Sequence, residues 1–209
     1  MIDQLVPIFI TLLVVIDPVG VVPMFWVLTR GGTISYRRRM AFKGIALTTG
    51  ILLVFVFSGD ALLRFLGISL SAFKVTGGVL LFLLAIDMVF ARPSGLRSTT
   101  LREQEEAQYR EDISVFPLAF PLLAGPGALT TVLLTSGDTR HDPLLFLGML
   151  GVLLIILLMT LCCLLLAPWL MKLLGETGTN VVDRLLGLIL AALAMQFIIE
   201  GVRASFFSS

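Results

Sequence analysis

The feature that most constrains this chain is an uninterrupted apolar run, Leu144–Met171, in which 28 residues pass without a charged side chain. A helix needs about 20 such residues to cross the hydrocarbon core of a bilayer. Charged residues make up only 14% of the chain, whereas a soluble domain carries about 25%. The chain has too few charges to cover a water-exposed surface, and the sequence therefore predicts an integral membrane protein.

The combinations of residues that most enzymes and metal sites need are not visible in this sequence. The two cysteines, Cys162 and Cys163, are adjacent inside the apolar run and are interpreted as packing residues. The single histidine, His141, lies in a short polar loop with no metal-ligand spacing around it. Without a nucleophile–base pair or a metal cluster, the sequence predicts no enzyme, no metal site and no cofactor. The net charge of +1 gives no reason to expect a nucleic-acid partner.

The hydropathy pattern predicts six helical spans, at roughly 5–29, 44–66, 70–90, 113–136, 143–172 and 180–203. Eleven Lys and Arg residues fall on the side of the first, third and fifth connections, and four on the other side. Since basic residues mark the cytoplasmic side of a membrane protein, both termini are expected to face outward. The N-terminal segment has no basic residue before its apolar run, so it is expected to be retained rather than cleaved as a signal peptide.

Two pairs of segments indicate an internal repeat. Asp17–Thr29 resembles Ala124–Thr135, since each has a Pro and a Gly at a helix break and then an apolar stretch that closes on Leu-Thr. Phe73–Phe90 aligns without gaps on Asp183–Glu200. Each copy therefore contains three spans, and this odd number forces the second copy into the membrane upside down, as in many secondary transporters.

The sequence thus predicts an all-α membrane protein with six transmembrane helices in two inverted-topology three-helix repeats. Helices 1 and 4 of this arrangement are broken at Pro and Gly. The first repeat is expected at residues 1–90 and the second at 113–209. A polar cytoplasmic linker at 91–112 joins them, and it is interpreted as a solvated segment rather than a partner-binding one.

The first break is the stretch VVIDPVGVVP, which puts a carboxylate, two prolines and a glycine inside an apolar run. Asp is a good N-cap and Pro is favoured as the first helical residue after it. One half-helix is therefore expected to end near Ile16 and another to start at Pro18. Such a break is tolerated in hydrocarbon only where protein or a wet cavity surrounds it. Asp17, Pro18 and Gly20 are predicted to line a binding site, with Asp17 holding a proton or an ammonium group.

The second break, Gly125–Gly127, offers the same restart at Pro126, with a glycine as the cap. Because no side chain is available there to bind the free backbone N–H groups, they are open to an anionic group such as a carboxylate. Thr130 and Thr131 follow and leave room for something small. Together with Asp17, this break would suit a zwitterion. The alternative is that both breaks are Pro kinks stabilised by neighbouring helices, without a ligand.

Two further carboxylates join Asp17 as candidates for proton coupling. Asp87 lies near the cytoplasmic end of the third span, where it is either a functional group or a residue that reaches the interface. Glu200 shares one helical face with Gln196 and Arg203. For Glu200, pairing with Arg203 is therefore at least as well supported as a place in a translocation path.

Four stretches, IDPVGVVPMF, SAFKVTGGVLLFLLAIDMVF, VFPLAFPLLAGPGALTTVLL and GETGTNVVDRLLGLILAALAMQFIIEGV, together resemble the MarC family of bacterial and archaeal inner-membrane proteins. The resemblance covers the whole chain except the linker. It implies a relation to LysE-type exporters and proton-coupled transport of small neutral amino acids. The motif residues it carries over are Asp17, Pro18, Gly20, Pro23, Pro121, Gly125, Pro126 and Gly127. The chain departs from the family motif at Val21, where an asparagine is usual.

The function predicted from residues and resemblance is a secondary transporter of small neutral amino acids or similar small metabolites, coupled to protons. Its expected partners are the lipid bilayer and a small solute, and a homo-oligomer is left open. Two alternatives remain. One is a non-transporting structural or regulatory membrane protein. The other is an exporter of another small solute, either less polar or otherwise different, which the missing amide at Val21 allows.

Overall fold

The computed structural model describes residues 2–90 and 112–207, which form helices and short connections with no strand in those ranges. The helices, numbered in chain order, are α1 (Ile2–Ile16), α2 (Val21–Leu28), α3 (Ile34–Phe65), α4 (Leu70–Phe90), α5 (Ser114–Leu123), α6 (Pro126–Thr139), α7 (Pro143–Leu165) and α8 (Ala167–Phe207). The predicted all-α fold class is confirmed. The predicted linker, except for Asp112, lies outside the described residues.

Five stretches of the described chain are long and apolar enough to cross a membrane. The first of them, Ile2–Leu28, contains both α1 and α2. The pair α5 and α6 is bent by 60° at its break and makes a sixth span when the two helices are counted together. The predicted six spans therefore have structural counterparts, and helices 1 and 4 are the two that are interrupted.

Two predicted boundaries are wrong. The second span was expected to begin at residue 44, but α3 begins at Ile34, after Thr33 accepts a hydrogen bond from the Tyr36 N–H as its N-cap. The fifth was expected to run to residue 172, but α7 ends at Leu165 and α8 follows with a kink at Gly175, where φ is 61°. Helix α3 begins in charged sequence before its apolar run, whereas α7 ends inside its apolar run, so hydropathy alone marks neither boundary.

Helices α4 and α8 pack antiparallel along their length, with glycines at the contact. A Cβ placed on Gly78 would lie 2.7 Å from Ile198 Cγ1, and one on Gly187 would lie 2.8 Å from Met88 Cβ. The alignment of the two copies pairs Met88 with Ile198, so the two contacts fall at nearly equivalent positions. Antiparallel packing of equivalent helices is what an inverted repeat requires; the repeat itself stays a prediction.

The two ends of the bundle differ in charge. At one end, Lys74 of α4 pairs with Glu200 of α8 (Nζ–Oε2 2.7 Å) and with Asp138 of α6 (3.7 Å). Arg140 and Asp60 also pair there, at 3.6 Å. The opposite end, here called the basic end, carries the cationic residues of the α2–α3 connection and the first turns of α3, namely Arg30, Arg37, Arg38, Arg39 and Lys43.

Asp112 connects the basic end to the second half of the chain. Its carboxylate pairs with Lys43 of α3 and accepts from the Ser114 N–H at 3.0 Å and from the Ser114 hydroxyl. These bonds, that of Lys43 above all, lower the pKa of Asp112 from its ordinary 3.8 to about 2. The charged pair therefore favours the folded state above about pH 4, and that contribution is lost as the pH falls towards 2.

We expect the carboxyl carbon of Asp112, followed by NMR in the purified protein, to titrate with a midpoint near 2. In Lys43→Gln the midpoint should rise towards the ordinary value, because the largest source of the depression has been removed. An identical midpoint in both proteins would contradict the pairing. Because the Asp112 side chain is 40% exposed, the effect of this substitution on stability should be small.

Candidate functional site

The first helix break is closed by the side chain of Asp17. Helix α1 ends at Ile16 as predicted, and Asp17 follows with φ of 49° and no exposed surface. Its Oδ1 accepts a hydrogen bond from the Gly20 N–H at 3.0 Å. Asp is among the few residues that tolerate the left-handed region, so the strained backbone and the buried carboxylate occur at one residue, as they do at many functional sites.

The predicted restart at Pro18 is wrong, because α2 begins at Val21. The expected cap bond does form, but the residues it encloses, 18–20, make a turn instead of the first turn of a helix. The backbone N–H of Val21 donates to the Asp17 carbonyl at 3.3 Å. The break between α1 and α2 therefore comprises residues 17–20, with Asp17 as its first residue and Pro18 buried within it.

A second carboxylate, from Asp183 of α8, reaches the same turn. A Cβ placed on Gly20 would overlap Asp17 Oδ2 and would lie 2.5 Å from Asp183 Oδ1. The two carboxylates therefore lie within roughly 5 Å of each other, on either side of the space that a Gly20 side chain would fill. Only a glycine fits between them. Sequence reasoning missed Asp183, although a carboxylate inside a membrane span was the signal that could have found it.

The second break has the geometry expected from its sequence. Helix α6 begins at Pro126 with Gly125 as its N-cap, and no side chain caps it. The preceding segment, α5, is irregular: its bonds reach five residues back, as from the Ala124 N–H to the Ala119 carbonyl at 2.8 Å. The start of α6 is therefore an open helix N-terminus inside a membrane span, where N–H groups carry partial positive charge.

The start of α6 lies against α4 and against the end of α1. A Cβ on Gly127 would lie 2.8 Å from Leu81 Cδ2 of α4 and 3.8 Å from Val15 Cγ1, two residues before Asp17. In the next turn of α6, Thr130 packs directly on Gly77 of α4. The first turns of α6 are thus held against α4 and against the end of α1.

The side chain of Thr131 is buried without the hydrogen bond that several other threonines of the described helices form. The hydroxyls of the buried Thr48 and Thr160 and of the half-buried Thr49 each donate to the carbonyl four residues earlier, at 2.8–2.9 Å. The Thr131 hydroxyl has no exposed surface and no hydrogen-bond partner among the described residues. It lies one turn after Gly127 on the same face of α6. Leaving a buried hydroxyl unbonded costs about 1–3 kcal/mol, so this hydroxyl is well suited to a polar solute.

The other two proton-coupling candidates, Glu200 and Asp87, lie in different surroundings. Glu200 pairs with Lys74 and accepts from Gln196 at 2.8 Å, rather than pairing with Arg203. It therefore belongs to the charged end of the bundle. Asp87 is half-buried near the end of α4. Among the described residues, no group of three His, Cys, Asp or Glu side chains is placed to hold a metal ion.

These features define the class of protein. The spans are apolar, and α7 exposes large side chains along its length, with Leu147 63% and Leu158 60% exposed. Such a surface is stable against lipid rather than water. The molecule is a multi-pass integral membrane protein.

Comparison with known proteins identifies the family. Residues 2–206 match the model of the MarC family integral membrane proteins, and the chain belongs to that family. It is 35% identical to the UPF0056 membrane protein YhcE of Escherichia coli (strain K12), over 95% of this chain and 91% of the relative. It is 37% identical to the UPF0056 membrane protein MJ1677 of Methanocaldococcus jannaschii, over 94% and 95%. No solved structure matches the chain.

Proposed function

We propose that this protein is a secondary transporter of small neutral amino acids or similar small metabolites, in the cytoplasmic membrane, with coupling to protons. The observation that carries the proposal is the fully buried Asp17 at a helix break inside a span, with Asp183 beside it. Ionisable groups inside membrane spans are costly and commonly mark solute or proton pathways.

The two breaks offer complementary charges to one small solute. Asp17 and Asp183 present carboxylate oxygens around Gly20 and would bind an ammonium group. The uncapped start of α6 presents backbone N–H groups and would bind a carboxylate. Thr131, four residues after Gly127 in α6, supplies one buried hydroxyl. A zwitterion carries both of the charges that this arrangement would neutralise, which is why we favour a neutral amino acid over an amine or an acid.

The same carboxylates supply the coupling. A solute ammonium group and a proton would compete for the Asp17–Asp183 pair, so binding of one would release the other. Glu200 has a less direct part in this proposal, because its partner Lys74 already neutralises it. An exporter of a less polar solute is the second candidate, since the residue after Gly20 is Val21, which is buried and offers no side-chain hydrogen bond.

Entrance counterflow in proteoliposomes tests the proposal. Vesicles loaded with unlabelled alanine should take up labelled alanine faster than protein-free vesicles do. Ethylamine and propionate, which each keep only one charge of the zwitterion, should compete about tenfold less well than glycine or serine, because each leaves one charged hydrogen bond unmade. If no small neutral amino acid exchanges above the protein-free rate, the proposed substrate class is wrong.

A further inference from the structure

A cleft at the basic end lies apart from the site between the two breaks. It is lined by the start of α3, with Ile34, Arg37 and Arg38, and by the α7–α8 junction, with Leu164, Leu165 and Pro168. Its volume is about 70 Å³. Its lining therefore combines two guanidinium groups with an apolar wall and contains no acidic residue.

Both tryptophans of the chain lie beside this cleft. Trp26 lies under the Arg37 guanidinium, 4.4 Å from it, and Trp169 directly follows Pro168 and is 58% exposed. Tryptophan is enriched where a membrane protein meets the headgroup region of the bilayer. We therefore expect the cleft to lie at the level of the lipid headgroups.

The two arginines are arranged differently, and both are available to an anion. Arg37 is half-buried and is held in place by Trp26 and by its Nε–H, which donates to the Thr29 carbonyl at 3.4 Å. Arg38 is exposed and forms no ion pair within the part of the chain that the structure describes. Nearby Lys43, in contrast, is already neutralised by Asp112. Planar guanidinium groups match the geometry of a phosphate oxygen pair.

We propose that this cleft is a binding site for an anionic phospholipid. Arg37 and Arg38 bind the headgroup phosphate, and an acyl chain leaves along the apolar wall formed by Ile34 and Leu165. A free phosphate ion would use the same two arginines but would gain nothing from the apolar wall or from the depth of the cleft. Basic clefts between transmembrane helices recognise anionic headgroups in this way.

The tryptophans make the site measurable without a transport assay. The full chain is reconstituted in bilayers in which lipids with brominated acyl chains, which quench tryptophan fluorescence, are either phosphatidylglycerol or phosphatidylcholine. We expect the brominated phosphatidylglycerol to quench more, which gives its binding constant relative to phosphatidylcholine. Arg38→Gln should lower that relative constant about tenfold, because the direct charged hydrogen bonds between the guanidinium and the phosphate are lost. Arg38→Lys should retain only part of the preference, because lysine keeps the charge but not the planar pair of donors.

Arg39→Gln is the matched control, because it removes the same charge from the next position of α3 but does not line the cleft. It should leave the relative binding constant within about twofold, since only the general surface potential changes. Equal losses in both variants, or no preference for phosphatidylglycerol in the unchanged protein, would overturn the proposal. Displacement of the lipid by 10 mM inorganic phosphate at constant ionic strength would also overturn it, in favour of a site for the free ion.

Discussion

Substituting Gly20 with Ala should lower the affinity for the transported solute about a hundredfold, equivalent to about 2.8 kcal/mol. The added methyl group would overlap Asp17 Oδ2 and crowd Asp183 Oδ1. Both carboxylates must then move away from the turn, and Asp17 is held there by a backbone with φ of 49°. Overpacking a tight site costs about 1–3 kcal/mol, and here the displaced groups are the two carboxylates that would bind the solute. Binding of labelled alanine to the purified protein measures the loss.

Gly50→Ala is the control for this experiment. Gly50 lies in α3 with nothing within 4 Å of an added Cβ, so the same substitution there should leave binding unchanged. It should also stabilise the helix slightly, because Ala is the better helix former. If Gly20→Ala binds alanine as tightly as Gly50→Ala does, the two carboxylates do not form the solute site.

Substituting Gly77 with Ala should destabilise the contact between α4 and α6. Its Cβ would overlap Thr130 Cγ2 and lie 3.0 Å from Thr130 Cβ. Thr130 is 4% exposed and β-branched, so it has few rotamers with which to move aside. We expect the free energy of unfolding to fall by about 2 kcal/mol and the thermal midpoint of the detergent-purified protein to fall by about 6 °C.

The double variant Gly77→Ala/Thr130→Ser should recover most of that loss, because serine lacks the Cγ2 methyl that the new Cβ would overlap. Gly151→Ala in α7, where an added Cβ has nothing within 4 Å, should keep the midpoint of the unchanged protein. A Gly77→Ala protein that melts like Gly151→Ala would show that α4 and α6 do not approach this closely. If the double variant has the same thermal midpoint as Gly77→Ala, the loss of stability does not come from overlap with the Thr130 methyl group.

The local features of the site could be predicted from the sequence. Gly125-Pro126 predicts a helix start because Pro has no N–H to lose at the first helical position, and α6 begins there. The bond from the Gly20 N–H to Asp17 follows in the same way from the capping preference of Asp. These features depend on residues within a few positions of each other, where short-range rules hold.

The contacts between distant segments could not be predicted. Asp183 reaches Gly20 only because α8 packs beside the first break, and no spacing within α8 indicates that. Glu200 pairs with Lys74 rather than with Arg203, its neighbour on the same helix, for the same reason. Helical periodicity says which side chains share a face, but the helix that this face meets is decided by packing of the whole bundle.

The most direct test of the account is entrance counterflow of labelled alanine with Asp17→Asn beside the unchanged protein. Asn has the size of Asp, tolerates a positive φ equally well and can still accept the bond from the Gly20 N–H through its side-chain oxygen. The variant should therefore fold and insert normally while losing only the charge. We predict exchange above background with the unchanged protein and none with Asp17→Asn at equal insertion. Equal exchange by both proteins would contradict the assignment of Asp17 to the transport site.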